Sequence, residues 1–193
     1  NIKRFLFSFF FYSAGVQTVI YLASTFASDE LKFEAFELIA TIFILQLVAI
    51  VGAILFAKIS DKYGNKGALI SMLIIWSLIC VVAYFVTDKF EFYIIAASVG
   101  LVMGGIQSVS RSSYSKLIPE GTEDTASYFS FYDVLEKVAI VLGTFSFGFI
   151  EQVSGGMRNS ILVLIIYFII GIGLLLTVNF KSSSAVTKKI KAN

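Results

Sequence analysis

Five stretches of this chain, each about twenty residues long, contain no charged side chain: 5–28, 38–57, 67–87, 92–110 and 159–180. The hydrocarbon core of a bilayer is roughly 30 Å thick and takes about 20 apolar helical residues to cross. In lipid the backbone must satisfy its own hydrogen bonds, and a helix does so within one segment. Five such lengths in 193 residues therefore call for a bilayer as solvent. Composition points the same way, with 58% apolar and 15% charged residues, against about 45–50% and 25% in soluble domains. Phe occurs 20 times and Pro once, so the apolar excess lies in long helices and not in a loop-rich fold.

Residues 125–150 are also long enough to cross but carry Asp133, Glu136 and Lys137. Counting this stretch as a sixth crossing predicts an all-α membrane protein. Its spans fall at about 5–27, 37–57, 67–87, 92–110, 125–150 and 159–180, and a disordered cytoplasmic tail follows at 181–193. The chain starts at Asn1, and its first apolar run is too long for a signal-peptide core. A fragment or processed piece of a longer protein is expected.

Six crossings put both termini on one side. That side carries Lys3, Arg4, Lys58, Lys62, Lys66, Arg111, Lys116, Lys181, Lys188, Lys189 and Lys191, whereas the other has Lys32, Lys89 and Arg158. Basic loops stay in the cytoplasm, so both termini and the loops at 58–66 and 111–124 are expected there, in a multi-pass protein of the cell membrane. The opposite loops are acidic, with Asp29, Glu30, Glu34, Glu37, Asp88, Glu91 and Glu151. Glu123 and Asp124 precede the fifth crossing, where they suit its positive N-terminal end. The Lys- and Ser-rich tail is expected to touch anionic lipid.

Several chemistries lack their parts. With one cysteine, Cys80, there is no internal disulfide, and with no His there is no imidazole metal site or proton relay. No cofactor is expected. A net charge of +2 argues against nucleic acid. Tyr132 and Asp133 superficially suggest an intramembrane aspartyl protease, but its second intramembrane Asp is missing.

Polar side chains divide unevenly among the crossings, and in lipid each needs a partner or water. The third and sixth are nearly all apolar. The first carries Ser13, Gln17, Tyr21 and Ser24 at helical spacing on one face. The fourth has a small residue at every fourth position, Ala96, Gly100, Gly104, Ser108 and Ser112, which lets a neighbouring backbone come close; Gln107 lies on another face. In the fifth, Asp133 precedes Lys137 by four, the favourable order for an ion pair on one face, with Glu136 beside them. Gln46 gives the second crossing an interior polar group, so the two triplets show a similar polar trend, as in a three-plus-three transporter repeat.

Two segments carry a family resemblance. Ala57, Lys58, Ile59, Ser60, Asp61, Lys62, Tyr63, Gly64, Asn65, Lys66 resembles the G-x-x-x-D-[RK]-x-G-[RK]-[RK] loop of the major facilitator superfamily. Ala57 stands in for its first Gly and Asn65 for a base. The second segment holds Gly104, Gly105, Gln107, Ser110, Arg111 and Ser112, then Lys116 to Pro119, then Phe129, Phe131, Tyr132 and Asp133, then Lys137, Leu142 and Gly143. It is similar to a run in the C-terminal half of transporters related to the vacuolar amino-acid effluxers.

The resemblance implies the C-terminal six-helix half, helices seven to twelve, of a twelve-helix secondary transporter working by alternating access. The missing N-terminal half would be its partner and a small solute, with amino acids the family-level class, its cargo. It further implies that the first and fourth crossings line a central cavity and that the third and sixth face lipid. On these grounds Gln17, Tyr21 and Gln107 are expected in the substrate cavity. Asp133, Glu136 and Lys137 are expected to couple to protons or form a charge lock, and Asp61, Lys62, Gly64 and Arg111 to serve as a cytoplasmic gate. The rival readings are a non-transporting membrane module and a half-size protein that pairs with its own copy.

Overall fold

A computed structural model describes residues 1–119, 122 and 124–180. Its elements are α1 (Ile2–Asp29), α2 (Ala35–Phe85), α3 (Lys89–Ser115), α4 (Thr125–Ser154) and α5 (Met157–Leu176). Among the described residues there is no strand. The predicted tail, Glu123 and the four tail lysines lie outside the described residues.

The predicted loop at 58–66 is not a loop. As an unbroken rod the 51 residues of α2 would run about 76 Å, more than two bilayer cores. The rod is interrupted at one residue, Gly64, with φ 82° and ψ 155°, a conformation almost confined to glycine. Residues 58–63 hold no Gly or Pro, so the first arm stays helical up to the break and the second begins directly after it. For the same reason α3 runs five residues past its expected end at 110 and stops at Ser115, ahead of Pro119. Arg111 is therefore a helical residue.

Local chemistry starts the helices. Glu34 with Glu37 and Asp88 with Glu91 form capping boxes on α2 and α3. Asp124 accepts from the Ser127 backbone N–H at 3.4 Å and caps α4, as its position suggested. Gly155, at φ 73°, closes α4 and lets α5 start two residues later.

Glycines set the packing. The first arm of α2 lies backbone to backbone on α3: a Cβ on Gly104 would fall 1.9 Å from the Ala49 carbonyl oxygen, and one on Gly100 would fall 2.5 Å from that of Leu45. The expected row of small residues on α3 thus meets a neighbouring backbone. Gly52 returns the contact, 1.9 Å from Leu101 O by the same construction. On the other side, Gly143 of α4 meets Ala14 and Thr18 of α1, and Gly171 of α5 meets Tyr12. Trp76 from the second arm of α2 stacks on Phe168 of α5, with ring centroids 5.8 Å apart, and both are fully buried.

Contacts sort the bundle into two ends. At one, Lys66 donates to the Leu176 and Val178 carbonyls at 2.6 and 2.9 Å, and Arg4 donates to Thr177 O at 3.4 Å. Buried Asn65 accepts from Ser60 and Lys116 and donates to Ser113, each at 2.9 Å. The chain start, the Gly64 break and the last turns of α3 and α5 are gathered there. At the other end Arg158 binds Glu30 at 3.2 Å and the Tyr84 carbonyl at 2.9 Å. Lys89 pairs with Glu37 at 2.6 Å in the same region.

Large apolar side chains cover much of the surface, most fully on the first arm of α2 (Phe36, Ile39, Phe43, Ile50) and on α4 (Val141, Phe145, Val153). Soluble proteins do not expose apolar surface on this scale. Four helices, α1, α2, α3 and α5, are long and apolar enough to cross a membrane. The protein is a multi-pass membrane protein. α4 is 30 residues long, and what sets it apart is its charged residues.

Candidate functional site: a polar cavity between three helices

One cavity, about 970 Å³, gathers most of the polar groups. Three helices each turn one face to it: α1 with Tyr12, Ser13 and Gln17, α3 with Gln107, Ser110 and Arg111, and α4 with Tyr132, Glu136 and Lys137. With Phe9 and Val16 on α1 and Phe129 on α4, which also line it, the lining residues recur at the three- and four-residue spacings of a single helical face. Ser108, Ser112 and Ser115 of α3 also line it, so the small row does double duty, with its glycines against α2 and its serines toward the cavity.

A polar contact ties each pair of these helices. Tyr12 OH and Ser110 Oγ lie 2.8 Å apart between α1 and α3, both residues buried. Gln17 Nε2 donates to Glu136 Oε1 at 2.6 Å between α1 and α4. Arg111 donates to and pairs with Asp133 between α3 and α4. The Arg111 guanidinium also sits over the Phe129 and Tyr132 rings, 5.8 and 5.7 Å from their centroids, a position that suits its flat, weakly hydrated cation. Tyr132 in turn stacks on Phe9, with centroids 4.0 Å apart. Two cations and two carboxylates thus meet in and around one cavity.

Of the residues expected in the cavity, Gln17 and Gln107 line it; Tyr21, one turn beyond Gln17, does not and is 58% exposed. Glu136 and Lys137 line it, and Asp133 reaches it through Arg111. The expected Asp133–Lys137 ion pair does not form. Asp133 takes Arg111 instead, because the extension of α3 carries a guanidinium across to it. Among the described residues Lys137 is in no ion pair. Arg111 therefore belongs with the cavity, apart from Asp61, Lys62 and Gly64, which stay at the α2 break. Lys62 lies 5.2 Å from the Tyr63 ring centroid and Asp61 is exposed.

Sequence reasoning passed over Tyr12 and gave no site role to Ser110 or Asn65, which it quoted only within the two family-like segments. Tyr12 and Ser110 each adjoin a residue that was singled out, Ser13 and Arg111. Asn65, noted only as replacing a base, is a buried hub that receives a cation from Lys116 instead.

A second cavity, about 260 Å³, lies toward the Glu30–Arg158 end among α1, α2, α3 and α5, with Phe147 of α4. Its lining is almost wholly apolar, with Ser24, Thr41, Gln46 and Cys80 the exceptions.

Comparison with known proteins gives the family. The family described as vacuole effluxer Atg22-like matches residues 1–187. The chain belongs to that family. It is 32% identical over 185 residues to the uncharacterized MFS-type transporter YxiO of Bacillus subtilis, covering 96% of this chain and 42% of that protein. It is 28% identical over 194 residues to autophagy-related protein 22 of Yarrowia lipolytica, covering 94% of this chain and 32% of that one. The same-named protein of Vanderwaltozyma polyspora is 31% identical over 183 residues, with 89% and 35% covered. The chain thus spans less than half the length of these relatives. The family takes its name from a vacuole effluxer, and the Bacillus subtilis relative is named a transporter of the major facilitator type.

Proposed function

We propose that this chain is the C-terminal half of a secondary transporter that moves a small solute by alternating access, with the cavity between α1, α3 and α4 as its share of the solute path. The observation that carries the reading is the convergence of Gln17, Gln107, Arg111, Glu136 and Lys137 on one large cavity in an otherwise apolar bundle. Polar and ionisable groups at membrane depth are costly and are kept where water or a solute uses them. The two arms of α2 count as separate crossings and α4 as a crossing with a polar lining, which makes six. The basic end at Arg4 and Lys66 is then cytoplasmic, with both ends of residues 1–180 on that side.

The exposed apolar faces of the first arm of α2 and of α4 are the surfaces on which an N-terminal half would dock, and that half would supply the opposite wall of the cavity. Amino acids are the cargo class we favour, since a zwitterion matches a cavity offering cations and carboxylates. Glu136, held by Gln17 across a helix boundary, is the carboxylate we assign to proton coupling, because any movement of α1 against α4 changes its partner. The cytoplasmic Gly64 turn, with Asp61 and Lys62, serves as the hinge side of the gate.

The test is transport by the full-length protein in proteoliposomes, with a mixture of radiolabelled amino acids and with or without an imposed pH gradient. Uptake that rises with the gradient is expected. Amino-acid flux no greater than in protein-free liposomes under both conditions overturns the cargo assignment, and flux indifferent to the gradient overturns the coupling.

A further inference from the structure

Asp133 has two basic groups within reach, and the structure uses one. Its carboxylate holds Arg111 of α3. Lys137 stands one helical turn further along α4, lines the same cavity and is in no ion pair among the described residues. Asp four residues before Lys is the favourable order for pairing on one helical face. We infer that Asp133 occupies Arg111 as a stand-in for a carboxylate of the solute, and that solute binding passes Asp133 over to Lys137.

Three features make the exchange workable. Arg111 lines the cavity, the side chains of the Arg111–Asp133 pair are 56% and 50% exposed within residues 1–180, and a partly exposed ion pair is weak enough to be displaced. Arg111 does not depend on Asp133 for its place, because the Phe129 and Tyr132 rings support the guanidinium from the side. Arg111 donates to Asp133 through a single nitrogen, and a planar guanidinium can donate to any carboxylate, in one- or two-pronged fashion, so a solute carboxylate can take the place of that of Asp133. Charge then balances: the incoming anion pairs with Arg111, and the displaced anion pairs with Lys137. The remaining carboxylate, Glu136 on Gln17, is left to receive a positive group of the solute. The empty carrier is thereby self-neutralised, and the loaded one is neutral too.

This inference rests on the transport reading, but it has a readout that needs no cargo. In detergent-solubilised full-length protein, Asp133→Asn vacates Arg111, and acetate is the probe. Replacing chloride by acetate at equal ionic strength should raise the melting temperature of Asp133→Asn by about 1–2 °C more than that of the wild type, the shift per added contact shrinking as a chain lengthens. The Arg111→Gln/Asp133→Asn double variant should lose that gain, and Asp133→Glu should behave as wild type. In binding assays Asp133→Asn should take phenylalanine about tenfold more tightly, since the internal competitor no longer holds the competent state at a minor fraction. Phenylalaninamide, which lacks the carboxylate, should bind both proteins alike. Lys137→Gln should weaken phenylalanine binding, because Asp133 then has nowhere to go.

An acetate response in Asp133→Asn equal to that of the wild type, or one that survives in the double variant, overturns the exchange. If phenylalanine is transported but Asp133→Asn binds it no more tightly, the exchange fails and the transport reading stands. If acetate behaves as described and no variant binds phenylalanine, the exchange stands and the amino-acid assignment fails.

Discussion

Gly104→Val is expected to remove the folded protein from the membrane. The added Cβ would sit 1.9 Å from the Ala49 carbonyl oxygen, a backbone atom that cannot swing aside as a side chain tip can. Relief requires α3 and the first arm of α2 to separate along their length, and that undoes the matching contacts at Gly100 and Gly52. Overpacking commonly costs 1–3 kcal/mol when side chains can adjust, so with backbone on backbone the loss should exceed about 3 kcal/mol. Fluorescence-detected size exclusion of a tagged full-length protein reads this directly, as a monodisperse peak lost. Gly173 is the control: nothing lies within 4 Å of its added Cβ. Gly173→Ala should keep the peak and gain up to about 1 kcal/mol from helix propensity.

Glu136→Ala should keep the peak and lose transport. The Glu136 side chain is half-buried, lines the cavity and accepts from Gln17, yet its contacts are peripheral to the apolar core. Removing the carboxylate breaks the one polar link between α1 and α4 at this level and takes from the cavity its carboxylate not engaged by a cation. Hydrogen bonds to a charged group are worth about 1.5–3 kcal/mol, which is on the order of ten- to a hundredfold in apparent affinity. Initial rates of solute uptake in proteoliposomes should fall by that factor or more. Gln17→Ala should give a smaller loss, since the carboxylate survives. Equal uptake by wild type and Glu136→Ala would detach this residue from the transport cycle.

What could be read from the sequence was whatever depends on spacing along one helix. The row from Ala96 through Gly104 announced a close helix neighbour, and the face shared by Ser13 and Gln17 announced a wet or protein-facing side. Both follow from a repeat near 3.6 residues. The partners across helices were not readable. Gly52 is as tightly met as Gly104 but stands alone in an apolar run with no row around it. Asp133 was paired by sequence with its neighbour one turn away, whereas its partner Arg111 lies 22 positions earlier, on a helix that outlasts its uncharged stretch. The same extension explains why Arg111 was assigned to a loop: crossing lengths were measured by absence of charge, and α3 carries its charge inside the helix. The break at Gly64 was visible as a glycine in a polar turn, but its sharpness depends on backbone angles that composition does not encode.

Whether water and solute reach this cavity can be measured with cysteines placed along it. In a full-length protein with Cys80 and any other native cysteine replaced, Gln107→Cys and Ser112→Cys put thiols on cavity residues of α3, and Ile169→Cys puts one on the exposed apolar face of α5. Thiols react as thiolates and so need water. A charged methanethiosulfonate should label the residue 107 and 112 thiols rapidly and the residue 169 thiol at least about tenfold more slowly, and a transported solute should slow the first two alone. Labelling at 107 and 112 as slow as at 169, or unaffected by any transported solute, would contradict the assignment of this cavity as the route.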